Sequence, residues 1–214
     1  MFVANRMTKN PITVTPETKV DEAAALMKKH HFRRLPVVED GKLVGFLNDK
    51  DIMRVAPSPA TTLSKYEITS LLAKMCIRDI MQKDVISVNE EATIEEAALI
   101  MCNNKIGGLP VVSSVGAVVG VITETDIFKA LVDVMGLADG KTRITIEVDD
   151  KVGVVKDIAS VFTEAGLNID SLVTCKQPNG KYEIVVRGDM PSADEIKGKL
   201  EAKGYNVIHT VRIG

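Results

Sequence analysis

The chain has no tryptophan, three tyrosines and five phenylalanines, so aromatic residues make up only 4% of its 214 positions. Its cores must therefore be built from Val, Ile, Leu, Ala and Met, which supply most of the 45% hydrophobic share. Lys and Arg (27) nearly balance Asp and Glu (29), which leaves no broad field to draw nucleic acid or a membrane surface. No apolar run approaches the roughly eighteen residues of a membrane span, and the opening MFVANRMTKNP lacks the apolar core of a signal peptide. A cytoplasmic protein is expected. Three scattered cysteines, Cys76, Cys102 and Cys175, have neither metal-ligand nor redox-pair spacing, and each reads as a small buried or half-buried apolar residue. His30 and His31 end a helix, where a positive ring suits the dipole, and His209 falls in the last strand, so none of the three histidines invites a catalytic or metal role. The chain also lacks a G-x-x-x-x-G-K-[ST] loop, H-E-x-x-H, G-x-S-x-G and any Cys-His pair at catalytic spacing. A regulator is expected, not an enzyme.

What is present is a repeat. Residues 3–38 recur at 77–112: NPITVTPETKVDEAAALMKKHHFRRLPVV pairs with DVISVNEEATIEEAALIMCNNKIGGLPVV. The following VEDGKLVGFLNDKDIM pairs with VSSVGAVVGVITETDIF after one inserted residue. Each copy opens with a short alternating strand (12–14; 85–88), then a helix whose apolar face is Val20, Ala23, Ala24 and Met27 in one copy and Ile94, Ala97, Ala98 and Met101 in the other. LPVV (35–38; 109–112) reads as a buried strand, followed by a turn at Asp40-Gly41 or Gly116 and a second strand. The copy closes on a strand-to-helix step, giving β-α-β-β-α.

That step carries the chemistry. In GVITETDIFKAL (120–131) the strand runs into Thr123-x-x-Asp126 and then a helix. Backbone N–H groups of a first helical turn favour an anion such as phosphate, Thr123 adds a hydroxyl, and Asp126 offers two acceptor oxygens for a ribose diol. The same pattern is also a helix cap, with Thr123 as N-cap and Asp126 as its partner. GFLNDKDIMRVA (45–56) repeats it with Asn48 and Asp51, which favours a duplicated binding fold. Arg33 and Arg34, whose guanidinium forks suit phosphate oxygens, precede the first LPVV, but Gly107 and Gly108 stand in the second copy, so the two copies are not equivalent. The cleft holding Thr123 and Asp126 is expected to bind more tightly.

These signatures, LPVV, the hairpin and G-h-h-T-x-x-D, resemble the CBS domain, and the tandem resembles a CBS pair or Bateman module. The resemblance implies two clefts about a pseudo-twofold axis that take an adenine nucleotide (AMP, ADP, ATP) or S-adenosylmethionine as a regulatory ligand, with no cofactor required. Thr123, Asp126, Asn48, Asp51, Arg33 and Arg34 are the implied nucleotide-binding residues. Between the copies, a Pro- and Ser-bearing loop precedes a helix ending near Met75.

Two glycines in DVMGLADGKT place a boundary near residues 137–141. Beyond it the pattern is strand (144–148), helix closed by Gly166, strand (168–175), turn at Pro178-Asn179-Gly180, strand (182–187), helix (192–203) and edge strand (206–211). That is a ferredoxin-like βαββαβ fold. TRITIEVDDKVGVVKDIASVFTEAGLNI resembles the ACT domain, which implies a site for an amino acid or similar metabolite at Asp150, Gly153 and Asn168. The carboxylate of Asp150 would repel that of an amino acid.

The expected class is thus α/β (α+β): CBS domain 1 over 1–57, a linker and helix over 58–76, CBS domain 2 over 77–136 and an ACT domain over 141–214. CBS-CBS-ACT in a chain of this length resembles the acetoin-utilisation regulatory (AcuB-like) family. A homodimeric sensor with a target enzyme is the leading expectation. A constitutive regulatory subunit or scaffold with little ligand response is the alternative.

Overall fold

In a computed structural model of the chain, residues 1–55, 64–137 and 140–212 are described. The Pro- and Ser-bearing loop and the middle of the 137–141 boundary stretch lie outside them. The chain divides into two compact units, Met1–Ile127 and Phe128–Gly214, so the division falls inside a helix, upstream of the glycine-bearing stretch.

The first unit holds the repeat. Copy one runs through a 3-10 turn (Val3–Asn5), β1 (Thr8–Lys9), α1 (Val20–His30), β2 (Arg34–Glu39), β3 (Lys42–Asn48) and α2 (Asp49–Val55), followed by α3 (Lys65–Leu72). Copy two runs through a second 3-10 turn (Ile77–Asp79), β4 (Val88–Asn89), α4 (Ile94–Asn104), β5 (Gly108–Val112), β6 (Val118–Thr123) and α5 (Glu124–Val134). Val20, Ala23 and Met27 of α1, and Ile94, Ala97 and Met101 of α4, are buried as the helical spacing requires. They pack on buried strands, Leu35 and Val37 in one copy and Leu109 and Val111 in the other. Leu72 and Met75 cover the first core.

The opening strands differ from the expected ones. Residues 12–14 make only a single parallel bridge, Val14 to Val37, and the second copy's strand is just Val88–Asn89 against Val111–Val112. The stronger pairing lies upstream and crosses between copies. β1 pairs antiparallel with β6, in the order β1-β6-β5-β4, and at the equivalent place Gln82 bridges Phe46 of β3. Periodicity cannot announce pairings of one or two residues, since alternation needs a longer run. The crossing also explains two glycines. A Cβ on Gly120 would run into the Met7 thioether and one on Gly45 into that of Met81, so the crossing segment lies flat on each hairpin only over glycine.

The second unit contains β7 (Thr142–Val148), α6 (Val154–Glu164), β8 (Ser171–Lys176), β9 (Tyr182–Gly188), α7 (Ala193–Ala202) and β10 (Asn206–Arg212). Strand order is β10-β7-β9-β8 with every pair antiparallel, the split βαββαβ arrangement. Ile144, Ile146, Ile184 and Val186 bury one sheet face against Ile158, Val161 and Phe162 of α6 and Ile196 and Leu200 of α7. Cys76 is half-buried as expected, but Cys102 and Cys175 are exposed. Cys102 follows Met101 round to the outer face of α4, and Cys175 lies in the exposed last half of edge strand β8.

Candidate functional site

Both strand-to-helix steps are built as caps. At the second, the Thr123 backbone N–H and hydroxyl donate to Asp126 Oδ2 at 2.9 and 2.7 Å. At the first, the Asn48 N–H donates to Asp51 Oδ2 at 2.9 Å, and the Asp51 N–H donates back to Asn48 Oδ1 at 3.1 Å. The next N–H of each step is also taken, Glu124 to the Gly107 carbonyl (3.2 Å) and Asp49 to the Arg33 carbonyl (3.1 Å). The first amide of each helix is thus already engaged by the chain folding back on it, which leaves fewer donors at these helix starts than the expectation supposed. Each cap uses Oδ2, and the other carboxylate oxygen of Asp51 lies 3.5 Å from Arg54 Nη1.

Two clefts lie in the first unit, each assembled from both copies. The larger, about 820 Å³, takes Asn48 and Asp51 from copy one and Ile86, Lys105, Gly107 and Gly108 from copy two. The smaller, about 440 Å³, takes Thr123 from copy two and Thr8, Ile12, His30, His31 and Phe32 from copy one. These are the same repeat positions exchanged. Both volumes suit a small organic ligand. Asp126 is not on the smaller cleft's wall among the described residues, and it touches that wall through Thr123. The cleft expected from sequence to be tighter is thus the smaller one.

Arg33 and Arg34 line both clefts. Burial above all, and then neighbouring Arg33, draw the Arg34 pKa below its ordinary value, while Glu124, Asp49 and Asp126 act the other way. A half-buried guanidinium with a like-charged neighbour gains from an anion. Residues missed at the sequence level are His30, His31 and Phe32. His31 is the left-handed C-cap of α1, and the His30 and Phe32 rings stack at 5.7 Å and 12°. Their signal was available: they align with Asn104, Lys105 and Ile106 of the repeat, two of which line the larger cleft.

The second unit carries a shallow pocket of about 270 Å³ at the turn before α6, lined by Asp149, Asp150, Gly153, Lys156, Thr174 and Tyr182 among others. Gly153 is the α6 N-cap at φ +97°, a left-handed conformation that suits glycine. Asn168 is exposed and absent from this wall, and its carbonyl instead lies where a Cβ on Gly188 would fall, at 2.6 Å. Asp149 donates nothing and accepts from Lys151 Nζ at 3.0 Å, which holds its carboxyl below the usual range. No group of three or more His, Cys, Asp or Glu among the described residues could hold a metal ion, and no helix among them is long and apolar enough to cross a membrane.

The first unit is thus a duplicated β-α-β-β-α unit with two exchanged clefts, and the chain continues into a split βαββαβ unit. Family models agree: that of the CBS domain matches residues 3–58 and 77–133, more than half the chain, and that of the ACT domain matches 142–205. The chain belongs to the CBS-domain family and carries a C-terminal ACT domain. Inosine-5'-monophosphate dehydrogenase of Korarchaeum cryptofilum is 41% identical over 120 residues, which cover 56% of this chain but only 22% of that enzyme. Among solved structures, the CBS domain pair of protein MJ0100 in complex with 5'-methylthioadenosine and S-adenosyl-L-methionine is 30% identical with a TM-score of 0.51, covering 61% of this chain and 95% of that one. CBSX2 in complex with AMP is 28% identical at a TM-score of 0.52, covering 62% and 96%. A candidate acetoin utilization protein (AcuB) from Vibrio cholerae is 29% identical at 0.51, covering 62% and 91%, in keeping with the AcuB-like resemblance.

Proposed function

We propose that the protein is a cytoplasmic, homodimeric regulator that binds an adenine nucleotide or S-adenosylmethionine-type ligand in the CBS pair and passes its occupancy to an enzyme of acetoin or related metabolism. It catalyses no reaction itself. The carrying observation is the pair of exchanged clefts, with Asn48 and Asp51 on one wall and Thr123, backed by Asp126, on the other. Solved relatives of the CBS pair that hold AMP, or 5'-methylthioadenosine with S-adenosylmethionine, support this reading. The ACT pocket at Asp150 and Gly153 is proposed to take a small metabolite whose polar end meets the turn backbone. Lys151 and Lys156 beside Asp149 and Asp150 make that pocket mixed in charge, which favours a zwitterion over a simple anion.

Calorimetry with AMP on the full chain tests the CBS sites. Asp51→Ala is expected to weaken the larger cleft and Asp126→Ala the smaller, each by about tenfold or more, since a hydrogen bond to a charged group contributes roughly 1.5–3 kcal/mol. If both variants bind AMP as the parent does, these aspartates are helix caps only. A melting temperature unmoved by saturating AMP, 5'-methylthioadenosine or S-adenosylmethionine would favour the constitutive scaffold.

A further inference from the structure

The two clefts do not have separate phosphate walls. Copy one supplies Arg33-Arg34 at the position where copy two has Gly107-Gly108, and both arginines line both clefts. Arg34 is the more closely fitted of the two. A Cβ on Gly107 would lie 2.6 Å from its Nη2, and one on Gly108 would lie 2.7 Å from its Nε. The diglycine is the bed on which this guanidinium lies, and Arg34 is a lining residue both of the cleft with Thr123 and of the cleft with Asn48 and Asp51. Glu124 stands at the same place, its Oε2 2.8 Å from the Gly107 Cβ position, and it lines the larger cleft.

We propose that Arg34 is one phosphate partner shared by two clefts, so that an anionic ligand in one weakens the binding of an anionic ligand in the other. The proposal rests on the reading of the clefts as nucleotide sites. A guanidinium has several N–H donors but one charge and one planar fork, and a phosphate that takes the fork bidentately turns it away from the opposite cleft. The larger cleft is then left with one cation fewer, Arg33, Lys50, Arg54 and Lys105 remaining, while the Glu124 carboxylate beside the diglycine still repels an incoming phosphate. An uncharged ligand makes no such demand. The two clefts would thus compete for charge while remaining separate in space, and a phosphorylated and an unphosphorylated adenosine could be held together more readily than two phosphorylated ones.

The test is a coupling measurement by calorimetry on the full chain, with AMP and with adenosine. Asp51→Ala weakens the larger cleft and Asp126→Ala the smaller, so in each variant the constant of the unaltered cleft is read from the tighter phase of the titration. For AMP, the product of the parent's two association constants is expected to fall about tenfold below the product of the two single-cleft constants. For adenosine the two products should agree within about twofold. Placing Arg34→Met in all three backgrounds should close the AMP gap. Gly107→Ala, which pushes the guanidinium off its bed while leaving it in the chain, should narrow the gap and guards against misfolding of the first variant. A gap that persists or widens with Arg34→Met would mean direct repulsion between phosphates and would overturn the proposal, as would agreeing AMP products in the parent. If neither AMP nor adenosine binds the parent, the nucleotide reading falls and this inference with it. If both bind without a gap, only this inference falls.

Discussion

Asp51 and Asp126 each hold a helix start through Oδ2, so substitution of either removes a cap whatever else the carboxylate does. Gly153 is simpler. A Cβ there meets nothing within 4 Å, yet φ is +97°, so any penalty comes from backbone conformation and not from a clash. Gly153→Val should therefore cost about 1–3 kcal/mol, and Gly153→Asn less, because asparagine tolerates a left-handed backbone better than a β-branched residue. Thermal melts of the two variants check this order. Equal melting temperatures for Val and the parent would show that the turn relaxes. AMP binding in the CBS pair is expected to be unchanged by either.

Among the elements, α1 and α4 are the same helix twice with different starts. Thr93 and Glu96 form a capping box on α4, with the Thr93 N–H donating to Glu96 Oε2 at 2.6 Å and the Glu96 N–H to Thr93 Oγ1 at 3.2 Å. The equivalent N-cap of α1 is Lys19, which makes no side-chain cap, although Glu22 already stands in the partner position. Lys19→Thr should complete the box and stabilise α1 by about 1 kcal/mol, at the loss of the 3.3 Å Lys19 Nζ to Cys76 Sγ contact. A rise in melting temperature of roughly 2–4 °C is expected for a chain of this size. No rise at neutral pH would mean that the Lys19 to Cys76 bridge matters more than the cap. The hydrogen bonds from the Thr93 backbone and hydroxyl hold the Glu96 carboxyl below its ordinary range. A lowered carboxyl stabilises above its unfolded pKa and loses that effect as pH falls through its folded pKa, so the engineered gain should likewise fade in acid.

For the whole molecule, α5 presents Phe128 (65% exposed), Leu131 (51%) and Val134 (53%) at spacings that share one helix side. An apolar stripe of that kind, with exposed residues along edge strands β8 and β10, is what a second copy of the chain would cover. Sedimentation at micromolar concentration is expected to show a dimer, and Phe128→Glu to shift it toward monomer. A monomeric parent would remove the homodimer from the proposal.

The repeat, both fold classes, the helices with their buried faces and the LPVV strands were legible in the sequence, because each rests on local periodicity, on turn residues or on one copy echoing the other. Asn48 and Thr123, with Asp51 and Asp126, could be singled out for the same reason, as fixed positions in a duplicated frame, and Arg33 and Arg34 as the place where the two copies differ. What only the tertiary structure decided is what depends on distance across the repeat. The crossing of β1 to β6, the exchange of walls between copies, the unequal cleft volumes and the place of His30 to Phe32 in the smaller cleft are contacts between residues far apart in the chain, and no period records them. The same holds for Asn168, which shares the ACT motif with the turn but is not among the residues that line its pocket. Gly107 and Gly108 mark the limit most sharply: in the sequence they are a missing pair of arginines, and in the fold they are the space that the arginine of the other copy occupies.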